Sequence, residues 1–148
     1  MSQREPEMLE NDDDIVLYIL LRNDLDSLTG TPEKRTIGKA CAQVSHASNQ
    51  CVFDIQKSDN YTLLKKLKTW EGDRGFGTCI VLQANVREMY NIVEEVKDYG
   101  HFSGITHDPT YPLKDGKITH LIPLDTCAYI FGSKSQLKTL LNDFLLMY

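Results

Sequence analysis

Four polar side chains lie along one predicted helix at spacings of four, three and four residues: Lys39, Gln43, His46 and Gln50. At about 100° per residue, this spacing places all four on one helix face. Lys39 would lie in the first turn, beside Thr36 and Gly38, where unpaired backbone N–H groups attract anions. The stripe is therefore able to bind a phosphate or to stabilise a developing oxyanion. A merely solvated helix face would show the same spacing, so both interpretations stay open.

Two other kinds of site are not supported by the spacing of residues. The phosphate-binding loop Gly-x-x-x-x-Gly-Lys does not fit, because Glu33 stands where its first glycine belongs and Ala40 follows Lys39. His107 and His120 flank a predicted loop, but the sequence indicates no third metal ligand. The four cysteines lack Cys-x-x-Cys spacing and are expected to be reduced and mostly buried. The sequence therefore predicts a site that needs neither a metal nor a cofactor.

The polar stripe needs a helix to carry it and a sheet to hold that helix in place. A helix that begins near Thr36, a suitable N-cap, would bury a narrow apolar face roughly opposite the stripe. The residues of that face are Ile37, Ala40, Cys41, Val44, Ser48, Cys51 and Ile55. The earlier stretch of residues 15–21 is continuously apolar, which is typical of a strand buried on both faces.

Strands and helices alternate along most of the remaining chain. Strands are predicted at residues 78–84, 102–106 and 126–131, and helices at residues 61–70 and after Ser133 or Ser135. Asn85 with Glu88 resembles a capping box that opens a further helix, and Gly100 would end it. Residues 108–125 are expected to form a long loop with a small hairpin at Asp115-Gly116. This order predicts a single three-layer α/β domain, with a mixed four-stranded sheet and helices on both faces.

Composition and charge are those of an ordinary globular protein. The 148 residues are 41 % hydrophobic and 25 % charged, with a net charge of −5. Residues 1–14 hold six acidic side chains and one arginine, so this tail accounts for the whole net charge and is expected to be disordered. Residues 15–148 carry 15 basic and 15 acidic side chains, which gives only weak electrostatic support for RNA binding. Without a long apolar run or a secretory signal, we expect a cytoplasmic protein that does not enter a membrane.

Two motifs in the first third of the chain resemble those of a known family. They read Leu21-Arg22-Asn23-Asp24-Leu25 and Gly38-Lys39-Ala40-Cys41-Ala42-Gln43-Val44-Ser45-His46-Ala47. The archaeal and eukaryotic type of peptidyl-tRNA hydrolase, the type 2 superfamily, has a strand that ends in Arg-x-Asp-Leu. A helix reading approximately Gly-Lys-x-Ala-x-Gln-x-x-His-Ala then follows. The chain resembles this family in both motifs, and the predicted order of elements covers nearly the whole chain, as that family's domain does.

The resemblance implies an active site built from three parts of the chain. In the family these parts are a lysine on the helix, an aspartate at the end of the third strand and threonine hydroxyls near the final strand. Lys39, Asp108 and Thr126 match these positions. Pro109 stands directly after Asp108, where the family has Ala-Gly, and Thr110 is the candidate for a threonine that the family has further on. Residues expected to bind substrate or to support the site are Arg22, Asp24, Gly38, Gln43 and His46.

The implied reaction is hydrolysis of the ester between a peptide and the 3′ ribose of tRNA, with peptidyl-tRNA as the partner. Asp108 would orient or deprotonate the attacking water, Lys39 would stabilise the oxyanion, and Gln43 would hold Lys39 or the ester. Phosphate contacts are expected from Arg22, Lys34, Arg35, Lys65, Lys66 and Lys68. The alternative is a catalytically inactive family member that binds tRNA or a protein. A homodimer is left open in either case.

Overall fold

The computed structural model describes residues 14–25 and 37–146. Its elements are β1 (Ile15–Arg22), α1 (Ile37–Lys57), α2 (Tyr61–Gly72), a 3-10 turn (Asp73–Gly75), β2 (Cys79–Ala84), α3 (Val86–Asp98), β3 (Phe102–Asp115), β4 (Ile118–Ser133) and α4 (Lys134–Leu141). Residues 1–13 of the predicted acidic tail and the predicted N-cap Thr36 lie outside the described residues. None of the described helices is long and apolar enough to cross a membrane.

Strand β1 lies inside a four-stranded sheet with the order β2-β1-β4-β3. It pairs with β2 in parallel and with β4 antiparallel, and β3 and β4 form an antiparallel pair. Seven of the eight residues of β1 are buried, because helices cover both of its faces and strands cover both of its edges. A strand in this position needs no polar alternation, which explains its apolar run. The predicted mixed four-stranded sheet is confirmed.

Each face of the sheet packs against its own pair of helices. The odd-numbered residues Leu17, Ile19 and Leu21 face α1 and α2, whereas Val16, Tyr18 and Leu20 face α3 and α4. This alternation follows from the two-residue period of a strand. Burial of each such side chain contributes roughly 1.5–3 kcal/mol. The three layers are therefore held together mainly by the side chains of β1 and its neighbour β4.

Helix α1 is rotated relative to the apolar face that the sequence predicts. Its buried residues are Gln43, Ala47, Cys51 and Ile55. Ile37 is 84 % exposed, so the predicted apolar face is wrong in the first turn of the helix. Gln43, predicted on the opposite polar stripe, is only 4 % exposed. The helix can bury this amide because the sheet supplies hydrogen-bond partners, which offset the cost of removing a polar group from water.

Helix α3 begins and ends where the sequence predicts. The Asn85 side chain accepts a hydrogen bond from the Glu88 N–H at 2.9 Å, and the Glu88 carboxylate accepts one from the Asn85 N–H at 2.8 Å. These two bonds form the predicted capping box. Gly100 follows the helix with a φ of 85°, a left-handed conformation that glycine adopts without steric cost. Local signals are therefore sufficient to set both ends of this helix.

Strands β3 and β4 form one long hairpin where the sequence predicts a loop. Their ladder reaches Asp115↔Ile118, whereas the pairing of β1 with β4 ends at Leu21↔Cys127. Residues 107–125 therefore extend past β1 as a two-stranded hairpin arm, and the prediction of a long loop at residues 108–125 is wrong. The predicted turn at Asp115-Gly116 is confirmed, since Gly116 has a φ of 62° between the two strands.

The hairpin arm has its own small hydrophobic core. Tyr111 and Leu113 are buried with Leu25, and Ile122 and Leu124 pack against this cluster. Prolines in the arm cannot donate ladder hydrogen bonds and are tolerated because β1 does not pair with this part of β4, so both strands of the arm have an edge without a partner strand in the sheet. They also interrupt the strand pattern of the sequence, and so the arm resembles a loop when only residue types are considered.

The four cysteines are free thiols that differ in exposure. Cys51 and Cys127 are buried, whereas Cys41 and Cys79 are exposed. The prediction that the cysteines are mostly buried is therefore wrong for two of them. Cys41 is exposed because of the rotation of α1, and Cys79 opens β2, which is an edge strand.

Gly104 of β3 should tolerate no larger side chain, because a Cβ at this position would overlap the hydroxyl of Tyr129 on β4. Tyr129 is 4 % exposed and donates a hydrogen bond to Asp54 at 2.5 Å, so it cannot move aside without losing that bond. Gly104→Ala is expected to lower the free energy of unfolding by about 1–3 kcal/mol. Urea denaturation of the variant and the wild type would measure this change.

Gly72 at the end of α2 offers a matched control. No atom lies within 4 Å of the position of its added Cβ, and its φ of −77° and ψ of −14° are helical. Gly72→Ala should therefore leave stability unchanged or raise it slightly. Equal destabilisation by the two substitutions would contradict the explanation by close contact with Tyr129.

Candidate active site

The buried side-chain amide of Gln43 joins helix α1 to both strands of the hairpin. Its Nε2 donates a hydrogen bond to Asp108 Oδ2 at 2.8 Å, and its Oε1 accepts one from Thr126 Oγ1 at 2.6 Å. Thr126 is completely buried. Because an amide has one donating and one accepting end, these two contacts set its orientation. Three of the predicted site residues, from α1, β3 and β4, are thus brought together.

A β-bulge turns Thr126 towards Gln43. The ladder pairs on either side of the bulge are Thr106 with Cys127 and His107 with Asp125. Thr126 is therefore an extra residue on β4. The next side chain, Cys127, also faces α1, and its Sγ lies 3.6 Å from the Gln43 backbone carbonyl. A regular strand would point two consecutive side chains to opposite faces, so the bulge is what allows Thr126 to reach the amide.

The Asp108 carboxylate accepts hydrogen bonds at both of its oxygens. Oδ1 accepts from the Thr110 backbone N–H at 2.9 Å and lies 3.5 Å from the Thr110 hydroxyl, while Oδ2 accepts from Gln43. Burial alone would raise the pKa of this carboxyl, but the bonds from Thr110 and Gln43, together with the nearby His46, bring the pKa below its ordinary value. Asp108 is therefore ionised at neutral pH and able to accept a proton or to orient a water.

Lys39 reaches the hairpin arm further along β3. Its Nζ donates a hydrogen bond to the Pro112 carbonyl at 2.8 Å and lies 5.3 Å from the centroid of the Tyr111 ring. Gln43 uses both ends of its amide for Asp108 and Thr126, so these contacts take the place of the predicted contact with Lys39. The Lys39 ammonium and the Asp108 carboxylate are consequently positioned by the same strand, β3, in which Pro112 follows Asp108 by four residues.

Arg22 and Asp24 connect the end of β1 to the elements around it. The Arg22 guanidinium is almost fully buried and donates to Asp24 Oδ1 at 2.7 Å and to the Asp125 backbone carbonyl at 3.0 Å. Asp24 Oδ2 accepts from the Val86 N–H at 3.1 Å, at the start of α3. These contacts favour a supporting role for the Arg-x-Asp motif over a direct phosphate contact from Arg22.

The remaining predicted site residues are more exposed than this group. Gly38 lies in the first turn of α1, and both Gly38 and His46 are exposed. Of the predicted phosphate contacts on α2, Lys65 and Lys68 are exposed and Lys66 is half-buried. Lys34 and Arg35 lie outside the described residues.

A cleft of about 360 Å³ opens beside Asp108 and is lined by His46, Thr106, His107, Asp108, Pro109 and Thr110. Thr106 was not predicted from the sequence as a site residue. Its hydroxyl is buried and has no hydrogen-bond partner among the described residues. Tyr111 and Pro112 were also missed, because residue types and spacing do not indicate which strand atoms a helix lysine will contact.

The two histidines of the hairpin arm contact different carboxylates. His107 Nδ1 lies 2.8 Å from Asp125 Oδ1, and His120 Nε2 lies 3.3 Å from Asp115 Oδ2. Asp125 also accepts a hydrogen bond from the Tyr90 hydroxyl of α3. Within residues 14–25 and 37–146, no group of three His, Cys, Asp or Glu side chains could hold a metal ion.

Comparison with known proteins agrees with the two sequence motifs. The family model described as "Peptidyl-tRNA hydrolase PTH2" matches residues 15–147. No curated protein matches the chain in a sequence search. The matched range contains every strand and helix from β1 to α4, together with Lys39, Gln43, Asp108 and Thr126. Since the match covers almost the whole chain, the protein belongs to the peptidyl-tRNA hydrolase PTH2 family.

Proposed function

We propose that this chain hydrolyses the ester between the peptide and the 3′ ribose of peptidyl-tRNA, and so acts in translation in the cytoplasm. The main support for this proposal is the hydrogen bond from the Gln43 amide, which holds an ionised Asp108 at the edge of a cleft. Family membership supports this reaction class. The altered residues after Asp108 do not remove its hydrogen bonds, since the Thr110 N–H and hydroxyl both approach Oδ1.

In the proposed reaction, Asp108 acts as the general base. It accepts a proton from a water molecule while that water attacks the ester carbonyl. When the tetrahedral intermediate collapses, the bond to the ribose 3′ oxygen breaks, and Asp108 returns the proton to that oxygen. Thr110 is exposed and adjacent to the carboxylate, so its hydroxyl is able to contact the same water. The Thr126 hydroxyl donates a hydrogen bond to Gln43 Oε1, and Thr126 is completely buried, which favours a positioning role over contact with the substrate.

Lys39 supplies the positive charge for the oxyanion that forms when the water attacks. Its Nζ contacts Pro112 and Tyr111 of β3, the strand of the hairpin arm that carries Asp108. A tetrahedral ester intermediate carries its negative charge on the former carbonyl oxygen, and a nearby ammonium lowers the free energy of that state.

Lys39→Ala and Asp108→Asn are expected to abolish most of the turnover of N-acetylaminoacyl-tRNA. Loss of an oxyanion donor should lower kcat by about 10²–10³-fold, and loss of the general base by about 10²–10⁴-fold. The measurement is the rate at which free tRNA is released from the substrate. Lys97→Ala and Asp98→Asn on α3 serve as controls, because both side chains are exposed and remote from the site.

Unchanged release by Lys39→Ala would show that the assignment of Lys39 is wrong. If the wild type shifts the mobility of the substrate on a gel without releasing tRNA, the chain is instead a binding member of the family. If it does neither, the proposal of peptidyl-tRNA as its substrate fails.

Gln43→Met should raise the pKa of Asp108 towards its ordinary value, because the carboxylate loses the hydrogen bond from the amide. A group with a lowered pKa loses its favourable ionised contacts as the pH falls through that pKa, so the acidic limb of kcat should move to higher pH in the variant. Titration of Asp108 by carbon-13 NMR between about pH 2 and 6 would measure the pKa directly.

The Gln43→Met variant should also lose about 1–3 kcal/mol of stability, since the buried Thr126 hydroxyl is left unpaired.

Gln56→Met provides the control for this substitution, because Gln56 lies on the same helix and is exposed. It should leave the pKa of Asp108 and the acidic limb of kcat unchanged. The hydrogen bond from Gln43 would have no role in the ionisation of Asp108 if the two variants titrated alike.

A further inference from the structure

We propose that Tyr111 is a positioning residue for the reaction, because its aromatic ring holds the Lys39 ammonium where the oxyanion forms. This inference rests on the proposed hydrolase function and adds a residue to it. Three features support it: the contact between Lys39 and the arm, the burial of Tyr111, and the bulge that turns Tyr111 towards α1.

The Lys39 ammonium is held by two groups of the hairpin arm. Its Nζ lies 5.3 Å from the centroid of the Tyr111 ring, within the range of a cation–π interaction, and donates to the Pro112 carbonyl at 2.8 Å. Neither group carries a formal negative charge. Both contacts limit the movement of the ammonium, and neither of them neutralises its charge.

Tyr111 is itself held rigidly, which a positioning residue must be. It is completely buried and lies in the small core of the hairpin arm with Leu113 and Leu25. Across the ladder it pairs with Ile122, which packs against the same core. A cation–π contact to a desolvated ring is stronger than one at an exposed ring, and Lys39 is itself half-buried.

A second bulge brings Tyr111 and Asp108 to the same face of the arm. The ladder pairs Asp108 with Leu124 and Tyr111 with Ile122, so a step of three residues on β3 matches a step of two on β4. Without the extra residue, side chains three positions apart on a strand would point to opposite faces. The inserted residue therefore allows one strand to supply both the carboxylate and the ring that holds the lysine.

The decisive experiment varies the charge distribution of the ring while its size stays nearly constant. Tyr111 would be replaced by phenylalanine and then by mono-, di- and trifluorophenylalanine, in which each fluorine weakens the attraction of the ring for a cation. We expect kcat for release of tRNA to fall progressively, by about 2- to 30-fold across the series. KM should change little, because the ring contacts Lys39 and not the substrate.

The same series at Phe53 provides a matched control. Lys57 lies 4.8 Å from the centroid of this ring, on the same helix as Lys39 but at its far end. Fluorination of Phe53 weakens a cation–π contact of the same kind and should leave kcat unchanged. Thermal unfolding of every variant would show that the fluorine substitutions do not alter the fold.

Two kinetic results would overturn the proposal: a kcat that does not respond to fluorination at position 111, or a rise in KM at constant kcat.

A second measurement does not depend on turnover. It is the rate at which acetic anhydride acetylates Lys39, relative to the rate at the exposed Lys97. Fluorination should raise the relative rate at Lys39 if the ring restrains its ammonium, and an unchanged rate would also count against the proposal. If the wild type fails to hydrolyse its substrate, the proposed function fails, and this labelling rate still decides whether Tyr111 holds Lys39.

Discussion

The structure of the candidate site depends on one buried amide. Gln43 has a single donating and a single accepting end, and each end has one partner on the hairpin, Asp108 or Thr126. An amide removed from water requires both bonds, so α1 can lie against the hairpin in only one rotation and one translation. Lys39 lies about one helical turn earlier and is brought to the arm by the same constraint. The polarity of a single side chain therefore sets the distance between the two charged groups of the site.

The sheet makes this constraint effective because it is rigid where the site is attached. Strand β1 is buried on every side, and Arg22 at its end bonds both to Asp24 and to the backbone of β4. Asp24 in turn bonds to the first residue of α3. The Arg-x-Asp motif thus joins the central strand to the opposite helical layer at the level of the candidate site. We interpret the two family motifs as complementary. The motif on α1 places the Lys39 ammonium and the Gln43 amide, and the Arg-x-Asp motif joins the strand and helix layers that support them.

The sequence predicts the parts of the fold that depend on local signals. The apolar run of β1, the capping box at Asn85 and Glu88, and the mixed sheet are all confirmed. The hairpin arm could not be predicted, since prolines interrupt its strand pattern and its core requires Leu25 from a distant part of the chain. The burial of Gln43 also depends on partners more than 60 residues away. Resemblance to a family suggested Lys39, Asp108 and Thr126 as candidate site residues. The bulges that orient the hairpin side chains are a property of the ladder register and have no signal in residue types.

The topology of the sheet has a consequence for the order in which the molecule folds. The hairpin of β3 and β4 closes over a short turn, whereas β1 must find β2 across two intervening helices and β4 across most of the chain. Local contacts form fastest, since they cost the least loop-closure entropy. The hairpin is therefore expected to form early, with its carboxylate already in place, and α1 to dock later. Because the amide, the lysine and the carboxylate meet only after that long-range docking, the candidate site is completed at the end of folding.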